Sequence, residues 1–569
     1  MTQANAPAAG WRRVALFSVL HAVCWTLAFP PFELWFLAFV AVGPLAVAAV
    51  AAARTRTVAV CVFLASMVGW MVLNRWVGSI SGAGLPAIGA YLASCTVLAA
   101  LCIRRIGRSA RFARVPLAAL LPIGWLGVEH LRGHIVFDGY PWYLVGQPLI
   151  GWLPLAQVAD LAGVLTVGIL PLAVSGVIAD AVLARGSAAS RRAGMLGTAA
   201  VAIFVVAYGV ARVRPVSATP DGPVVTAIQT DVPQSNKVAW SLEQQQRDFI
   251  RFRDATYAAA LEAAEAGIEV DLCVWPETML PGPGFETAAL DTLEGAGYWP
   301  GRRFVLAARD LVDATGTPTL FGTSTVPAFV DRGDGLVAAS RYNSVVLVEP
   351  EETAVPPRYD KVFLTPFGET MPYIRAWPWL QDRMLAIGAR GMQFNLDAGE
   401  SITRFEVDWT DATGSPRRLG VATPICFEDT VPELCRAMVW GDDGGKVADL
   451  LVNASNDGWF GDSDGIRRLH NQVARFRSIE NRVPLIRAVN TGISCMVDSS
   501  GRLVDQLPAR AAGILGPKVV ELDERVPIFA TVGAWPGRAV LLAMVVMLIL
   551  PNRKASVVDP PAETEPDPS

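Results

Sequence analysis

The sequence predicts a multi-pass α-helical membrane bundle of about eight spans joined to an α/β domain. Three observations carry this. The 569 residues are 52% hydrophobic and only 18% charged, with a mean hydropathy of +0.37, whereas soluble domains carry about 25% charged residues. Apolar runs of spanning length, about 20 residues each, crowd the first 211 positions and recur once near the C-terminus. Between them, residues 220–525 alternate short β-branched runs with helical stretches, the pattern of a sheet covered on both faces. The apolar fraction excludes a disordered chain. A net charge of −4 leaves no basic field for nucleic acid.

The runs occupy residues 12–29, 33–53, 57–80, 84–103, 115–131, 157–184, 193–211 and 528–550. Fourteen positive charges fall at alternate ends of them: Arg12, Arg13, Arg54, Arg56, Arg104, Arg105, Arg108, Arg111, Arg114, Arg185, Arg191, Arg192, Arg553 and Lys554. The other short loops offer Arg75 and Arg132. Positive charge marks the cytoplasmic side, so both termini are expected there and segment 212–527 outside. Cleavage of run 12–29 as a signal peptide would break this alternation, so the run is read as retained. The expected organisation is a seven-span membrane domain (1–211), an outer domain (212–527), a final span (528–551) and a Pro-rich acidic tail (552–569) expected to be disordered. Within 125–143, Glu129 and Arg132 share a helix face and read equally as a snorkelling interfacial pair or a functional one. Trp142 and Tyr143 suit an interfacial aromatic belt.

In the outer domain, strands are expected at 224–230, 270–275, 303–308, 342–348, 420–426, 449–455, 484–490, 494–499 and 518–523. Helices are expected near 241–267, 431–440 and 467–482. Three strands run into polar residues: Glu277 after VDLCVWP, Lys361 after a loop that follows YNSVVLV, and Cys426 at the end of GVATPIC, with Glu428 two residues on. Sites of open α/β sheets gather outside the carboxyl ends of strands. A thiol is a strong nucleophile only as thiolate and needs a base or a positive neighbour. Glu277 can take the proton, Lys361 can stabilise thiolate and oxyanion, and a helix beginning near 430 is expected to lower the thiol pKa further.

Rare residues narrow the chemistry. The chain has 43 arginines but five lysines, and four histidines, of which only His470 lies in the outer domain. A His-based triad has little material. No paired His/Cys spacing suggests a metal, and the eight cysteines form no disulfide framework. Neither a metal nor another cofactor is expected.

The motifs WPET (275–278), YDKVFLTPFGETMP (359–372) and PICFED (424–429) together resemble the nitrilase, or carbon–nitrogen hydrolase, superfamily with its Glu–Lys–Cys triad and α-β-β-α sandwich. NDGWFGDS (456–463), the run from Arg477 to Gly492, and WLGVEHLRG…GYPW (125–142) narrow the resemblance to the apolipoprotein N-acyltransferase family over nearly the whole chain. The resemblance implies that Glu277 is a general base, Lys361 an oxyanion-stabilising group and Cys426 the nucleophile, with Glu369 and Glu428 as supporting acids. It also implies a phospholipid acyl donor, a diacylglyceryl apolipoprotein acceptor, a thioester intermediate, and a place in the cell inner membrane with the catalytic domain periplasmic. A monomer is expected. Two stretches depart from the family pattern, Gly146-Gln147-Pro148 and TVGAWPGR at 531–538. The stretch 371–394, with Trp377, Trp379 and Met384, reads as a lid or membrane-dipping arm, since such side chains are unusual on a soluble surface. A tethered amidase for a soluble substrate is the alternative with the same triad. A transporter is disfavoured by scarce intramembrane charges, and an inactive binding module by the complete triad.

Overall fold

The computed structural model describes residues 9–551 except 216, 218–219, 235–239, 334, 378, 380–382 and 384–395. The acidic tail and most of the expected lid therefore lie outside the described residues.

The N-terminal region is helical, with main helices α1 (Trp11–Ala28), α2 (Ala38–Ala51), α3 (Thr55–Leu73), α4 (Gly84–Gly107), α5 (Leu117–His134), α6 (Ile169–Leu183) and α7 (Ala188–Arg212). Among the described residues, four helical stretches are long and apolar enough to cross a membrane: Thr55–Leu73, Gly84–Gly107, Val164–Leu183 and Ala188–Arg212. The expected eight are thus not all matched. The run 157–184 breaks into short helices, because Gly163 turns the chain with φ +77, and only its second part is long enough. The final run yields a helix of 15 residues, Trp535–Ile549, about 22 Å at 1.5 Å per residue. Three of the arginines expected on one side bind carbonyls at helix ends and loops. Arg104 donates to the carbonyls of Ala49 and Ala52, Arg185 to those of Gly107, Val115 and Phe112, and Arg105 to that of Leu550. They satisfy carbonyls that helix ends leave open.

The outer domain is built on two six-stranded mixed sheets. The first runs β14-β1-β2-β3-β6-β7 and the second β13-β12-β11-β10-β9-β8. The strands are β1 (Val224–Gln229), β2 (Leu272–Val274), β3 (Thr319–Thr325), β4 (Phe329–Asp331), β5 (Leu336–Ala338), β6 (Tyr342–Val348), β7 (Arg358–Asp360), β8 (Arg404–Thr410), β9 (Pro416–Ala422), β10 (Leu450–Asn456), β11 (Leu485–Asn490), β12 (Cys495–Val497), β13 (Leu503–Gln506) and β14 (Gly513–Val519). Side chains of both sheets, such as Val225, Val274, Val421 and Leu451, share one core. Helices α8 (Leu242–Glu265) and α9 (Pro300–Thr315) cover the outer face of the first sheet through Phe252, Trp275 and Phe304. Helices α10 (Pro432–Val439) and α11 (Asp464–Asn481) cover the second.

Two sequence expectations change. RFVLAA at 303–308 is helix, not strand: buried Phe304, Val305, Ala308, Leu311 and Val312 follow helical spacing once the window extends to Thr315. The strand expected there is instead TLFGTST (β3), whose Thr, Ser and Gly hide a fully paired central strand.

Helix α11 is buried along most of its length, with Arg468 exposed. Ala474 packs toward the second sheet. Ile466, Leu469 and Val473 join the core of the helical region, as do Phe476 and Ile479 in a second cluster. A buried ionic network fixes this seam. Asp160, fully buried, accepts from Arg482 at 2.6 Å, from Arg212 at 2.7 Å and from Tyr208 at 2.8 Å. Glu480 accepts the backbone N–H of Val164 at 2.9 Å. Removing one partner of a buried pair leaves an uncompensated charge and costs about 3–5 kcal/mol. Asp160→Ala should therefore lower the thermal midpoint of the detergent-solubilised chain by several degrees. An unchanged midpoint would show that the seam does not depend on this network.

Candidate active site

Glu277, Lys361 and Cys426 come from three separate strand ends and meet at one edge of the sandwich. Cys426 follows β9 through Pro424 and Ile425, and its φ of +50 lies in the left-handed region. Such a conformation costs about 1–3 kcal/mol in a non-glycine residue and persists only where surroundings enforce it. Here Asn453 donates to the carbonyls of Pro424 and Cys426, at 3.0 and 3.1 Å. The turn leaves the sulfur partly open to a cavity while its neighbours are buried. Thr278, directly after Glu277, is also left-handed, at φ +54.

The carboxylate and ammonium are held tightly. Lys361 is 1% exposed and lies 2.7 Å from Glu369 and 3.9 Å from Glu277. Asn343 of β6 donates to Glu277 at 2.6 Å and reaches Glu369 at 3.4 Å. Cys426 and Glu277 line the same cavity. Burial works against charge on Lys361, but Glu369, Cys426 and Glu277 outweigh it and hold its pKa well above the usual lysine value. Burial raises the Glu277 pKa, opposed by Lys361 and reinforced by Glu369. Burial opposes ionisation of Glu369 too, yet Lys361 draws it below the carboxylate norm.

The thiol differs from expectation. Burial and the Glu277 carboxylate push the Cys426 pKa well above 9.0, with Lys361 opposing. Residues 426–430 form a 3-10 turn, and α10 begins only at Pro432 and spans eight residues, so the expected helix-end assistance does not outweigh burial. A thiol and a carboxyl group that both resist ionisation suit transfer of the proton as sulfur attacks.

Glu428 has a different place from the other acids. It is fully buried and does not face the cavity. It accepts from Tyr359 Oη at 2.9 Å, from the backbone N–H groups of Val362 and Phe363 at 2.9 Å each, and from that of Ile425 at 2.8 Å. One carboxylate thus joins the lysine loop to the cysteine loop. Burial raises its pKa to about 7.

Several contributors carried no sequence signal. Asn343 opens an apolar strand, and only its position at the strand's start marks it. His470, noted for rarity alone, is 1% exposed between Asp429 (Nε2, 3.0 Å) and Asp457 (Nδ1, 3.0 Å). Arg487 stands 3.4 Å from Asp429. Burial and Arg487 disfavour the imidazolium, but the two aspartates outweigh them and raise its pKa to about 9. Trp142 is no interfacial belt residue: it is 3% exposed and lies 5.5 Å from His470, 6.2 Å from Phe427 and 5.8 Å from Phe460. Tyr143 is likewise buried. Glu129 and Arg132 do not pair on the surface. Glu129 accepts from Trp125 at 2.7 Å and from the Val145 N–H at 2.8 Å, and Arg132 donates to the carbonyls of Tyr140, Trp142 and Tyr143. In the first departure stretch, Gln147 closes the same loop by donating to the Pro141 carbonyl at 2.7 Å. In the second, Gly537 abuts His130 so closely that a Cβ would fall 2.4 Å from its Nδ1.

The cavity above Cys426 measures about 940 Å³. Glu277, Asn343, Glu369 and Cys426 line one part; Trp76, Val77, Ile80, Ile88, Tyr91 and Phe137 of the helical region line another. Trp377 and Trp379 stand exposed beside the described start of the expected arm. Tyr373 there donates to the Ile135 carbonyl at 3.0 Å, and Phe367 packs on Phe137. Among the described residues, no group of three His, Cys, Asp or Glu side chains could hold a metal.

Two mixed sheets packed into one sandwich, with Glu277, Lys361 and Cys426 gathered around one cavity edge, define the class of α/β fold to which the chain belongs. The chain belongs to the carbon–nitrogen hydrolase family, whose model matches residues 234–522. A second model, the apolipoprotein N-acyltransferase N-terminal domain, matches residues 21–177. The chain is 29% identical to the apolipoprotein N-acyltransferase of Geobacter metallireducens over 89% of each chain. It is 29% identical to that of Ralstonia nicotianae over 96% of this chain and 94% of the other. An amidase from Nesterenkonia sp. is 17% identical, with a TM-score of 0.34 over 55% of this chain and 94% of the amidase.

The His470 imidazolium gives a pH signature. Its pKa rises from 6.5 to about 9 on folding, so its contribution to stability is complete below 6.5 and is lost as pH rises through about 9. Thermal midpoints should fall across that window, and His470→Asn should flatten the fall. An equally steep fall in the variant would remove His470 as its source.

Proposed function

We propose that the protein transfers an acyl chain from a membrane phospholipid to the amino group of an S-diacylglyceryl-cysteine at the N-terminus of an apolipoprotein. The carrying observation is that apolar helices of the membrane region form part of the wall of the cavity that holds Cys426, so a lipid can reach the sulfur without leaving an apolar surface. The names of the relatives fit this reading.

In the first half-reaction Glu277 takes the Cys426 proton as sulfur adds to the ester carbonyl. Lys361, permanently cationic beside Glu369, faces the developing oxyanion. The C–O bond breaks, the proton passes to the departing glycerol oxygen, and a thioester and a lysophospholipid remain. In the second, the acceptor amine attacks the thioester, Glu277 takes its proton, the C–S bond breaks, and the thiol is restored with release of the amide. Ping-pong kinetics follow. Glu369 fixes the ammonium and Glu428 fixes the two loops.

The membrane-facing arrangement belongs to the same reading. About eight spans (seven in 1–211, one in 528–551) would place the arginine-rich end of the bundle in the cytoplasm and domain 212–527 in the periplasm, against the inner membrane. Both termini are then cytoplasmic. Trp377 and Trp379, both exposed, belong to a membrane-dipping arm, and water kept from the thioester favours transfer over hydrolysis. No cofactor takes part, and the chain works as a monomer.

The test is acylation of a synthetic diacylglyceryl peptide by phospholipid in detergent. Cys426→Ala should abolish it, and activity surviving in that variant would sink the mechanism. Glu277→Gln should lower kcat/KM by about 10²–10⁴, the usual worth of a general base. Because burial raises the Glu277 pKa from 4.5, wild-type kcat/KM should climb with pH along a limb lying above the ordinary carboxylate range, a limb absent in Glu277→Gln. Cleavage of small amides without any peptide acylation would favour a tethered amidase instead.

A further inference from the structure

We infer that Arg341 is the anchor for the phosphate of the donor lipid; the inference rests on the phospholipid-donor reading above. Arg341 lines the cavity that holds Cys426. Its Nε is buried and has no hydrogen-bond partner. A buried unsatisfied donor costs about 1–3 kcal/mol and calls for an explanation, such as a missing ligand. The other charged side chains among the described lining residues are already matched. Glu277 and Glu369 meet Lys361 and Asn343, and His470 lies between two aspartates. No carboxylate among the described residues pairs with the Arg341 guanidinium. The nearby Asp397 is spent on the backbone: it accepts the Arg341 N–H at 3.0 Å and returns its own N–H to the Arg341 carbonyl at 2.8 Å. That clasp fixes where the arginine starts and leaves its charge unneutralised.

The spacing suits a glycerophospholipid. Arg341 precedes by two residues Asn343, which holds Glu277 beside the sulfur. Arg341, Asn343 and Cys426 line one cavity. In a phospholipid, five or six covalent bonds separate an ester carbonyl carbon from phosphorus, about 6–7 Å when extended. A donor with its ester at Cys426 can thus present its phosphate to Arg341. A guanidinium fork is also the cation best shaped for two phosphate oxygens. The acceptor, a diacylglyceryl thioether, carries no phosphate. Arg341 therefore serves one of the two lipids that pass through the same cavity, and it sorts donor from acceptor.

The experiment compares two donors with the full chain in detergent: a phosphatidylethanolamine and the diacylglycerol with the same acyl chains. In Arg341→Ala, kcat/KM for the phospholipid should fall at least tenfold more than for the diacylglycerol, mostly in KM. Arg341→Lys should recover part of the difference. Transfer from preformed thioester to peptide should suffer less than donor attack. Equal losses with both donors would overturn the inference, because they would make Arg341 a support for Asn343. So would a phospholipid KM that does not change. Millimolar inorganic phosphate should not compete in wild type. Competition that Arg341→Ala abolishes would give the site to free phosphate and overturn the lipid assignment. Wild type that acylates from neither donor would sink the acyltransferase reading as well, whereas a normal wild type with an indifferent variant sinks only the role of Arg341.

Discussion

The site depends on the carboxylate of Glu428. The thiol arrives on one sheet and the lysine on the other, and nothing in a two-sheet core fixes two loop ends to within a bond length. Glu428 does so by accepting from the lysine loop at Val362 and Phe363 and from the cysteine loop at Ile425, with Tyr359 as a fourth donor. Four donors on one buried group offset the cost of removing it from water. That bridge ties the strained turn at Cys426 to the loop that carries Lys361.

The same logic operates one layer further out. The second sheet rests on α11, and α11 rests on the helical region, so the cysteine loop is supported from the membrane side. Trp142 is the contact that transmits this: it leaves a loop braced by Arg132, Glu129 and Gln147 and packs against His470 and Phe427, the residue after the sulfur. The two regions meet through buried charge at Asp160 and Arg482 as well as through apolar packing. Such a junction is poorly suited to sliding, and it makes the cavity wall a property of both regions together.

Chemistry was more legible in the sequence than layout. Glu277, Lys361 and Cys426 stood out because each follows a strand end with a residue type that the apolar run does not call for. β8 went unseen because it alternates charge with apolar side chains beside a stretch rich in turn residues, and β9, expected at 420–426, lies at Pro416–Ala422. RFVLAA misled because six residues of an amphipathic helix can look like a buried strand. Glu129, Arg132, Trp142 and Tyr143 were read against the membrane as solvent, whereas their partners are backbone groups and rings contributed by the fold itself. Asn343 and the Asp429–His470–Asp457 chain needed three-dimensional proximity, which spacing along one chain does not encode.

The proposed mechanism, which forms a thioester on Cys426, gives Lys361 a second significance. Amines are the nucleophiles that a thioester is built to meet, and a lysine at the sulfur is the amine nearest to hand. Were it to lose its proton, it would take the acyl chain as an amide and the enzyme would end its life after one turnover. Glu369 at 2.7 Å and Glu277 beyond it keep the ammonium protonated, so the nitrogen has no lone pair to offer. In the proposed mechanism the carboxylates around Lys361 thus protect the enzyme from its own intermediate while leaving the charge available to the oxyanion.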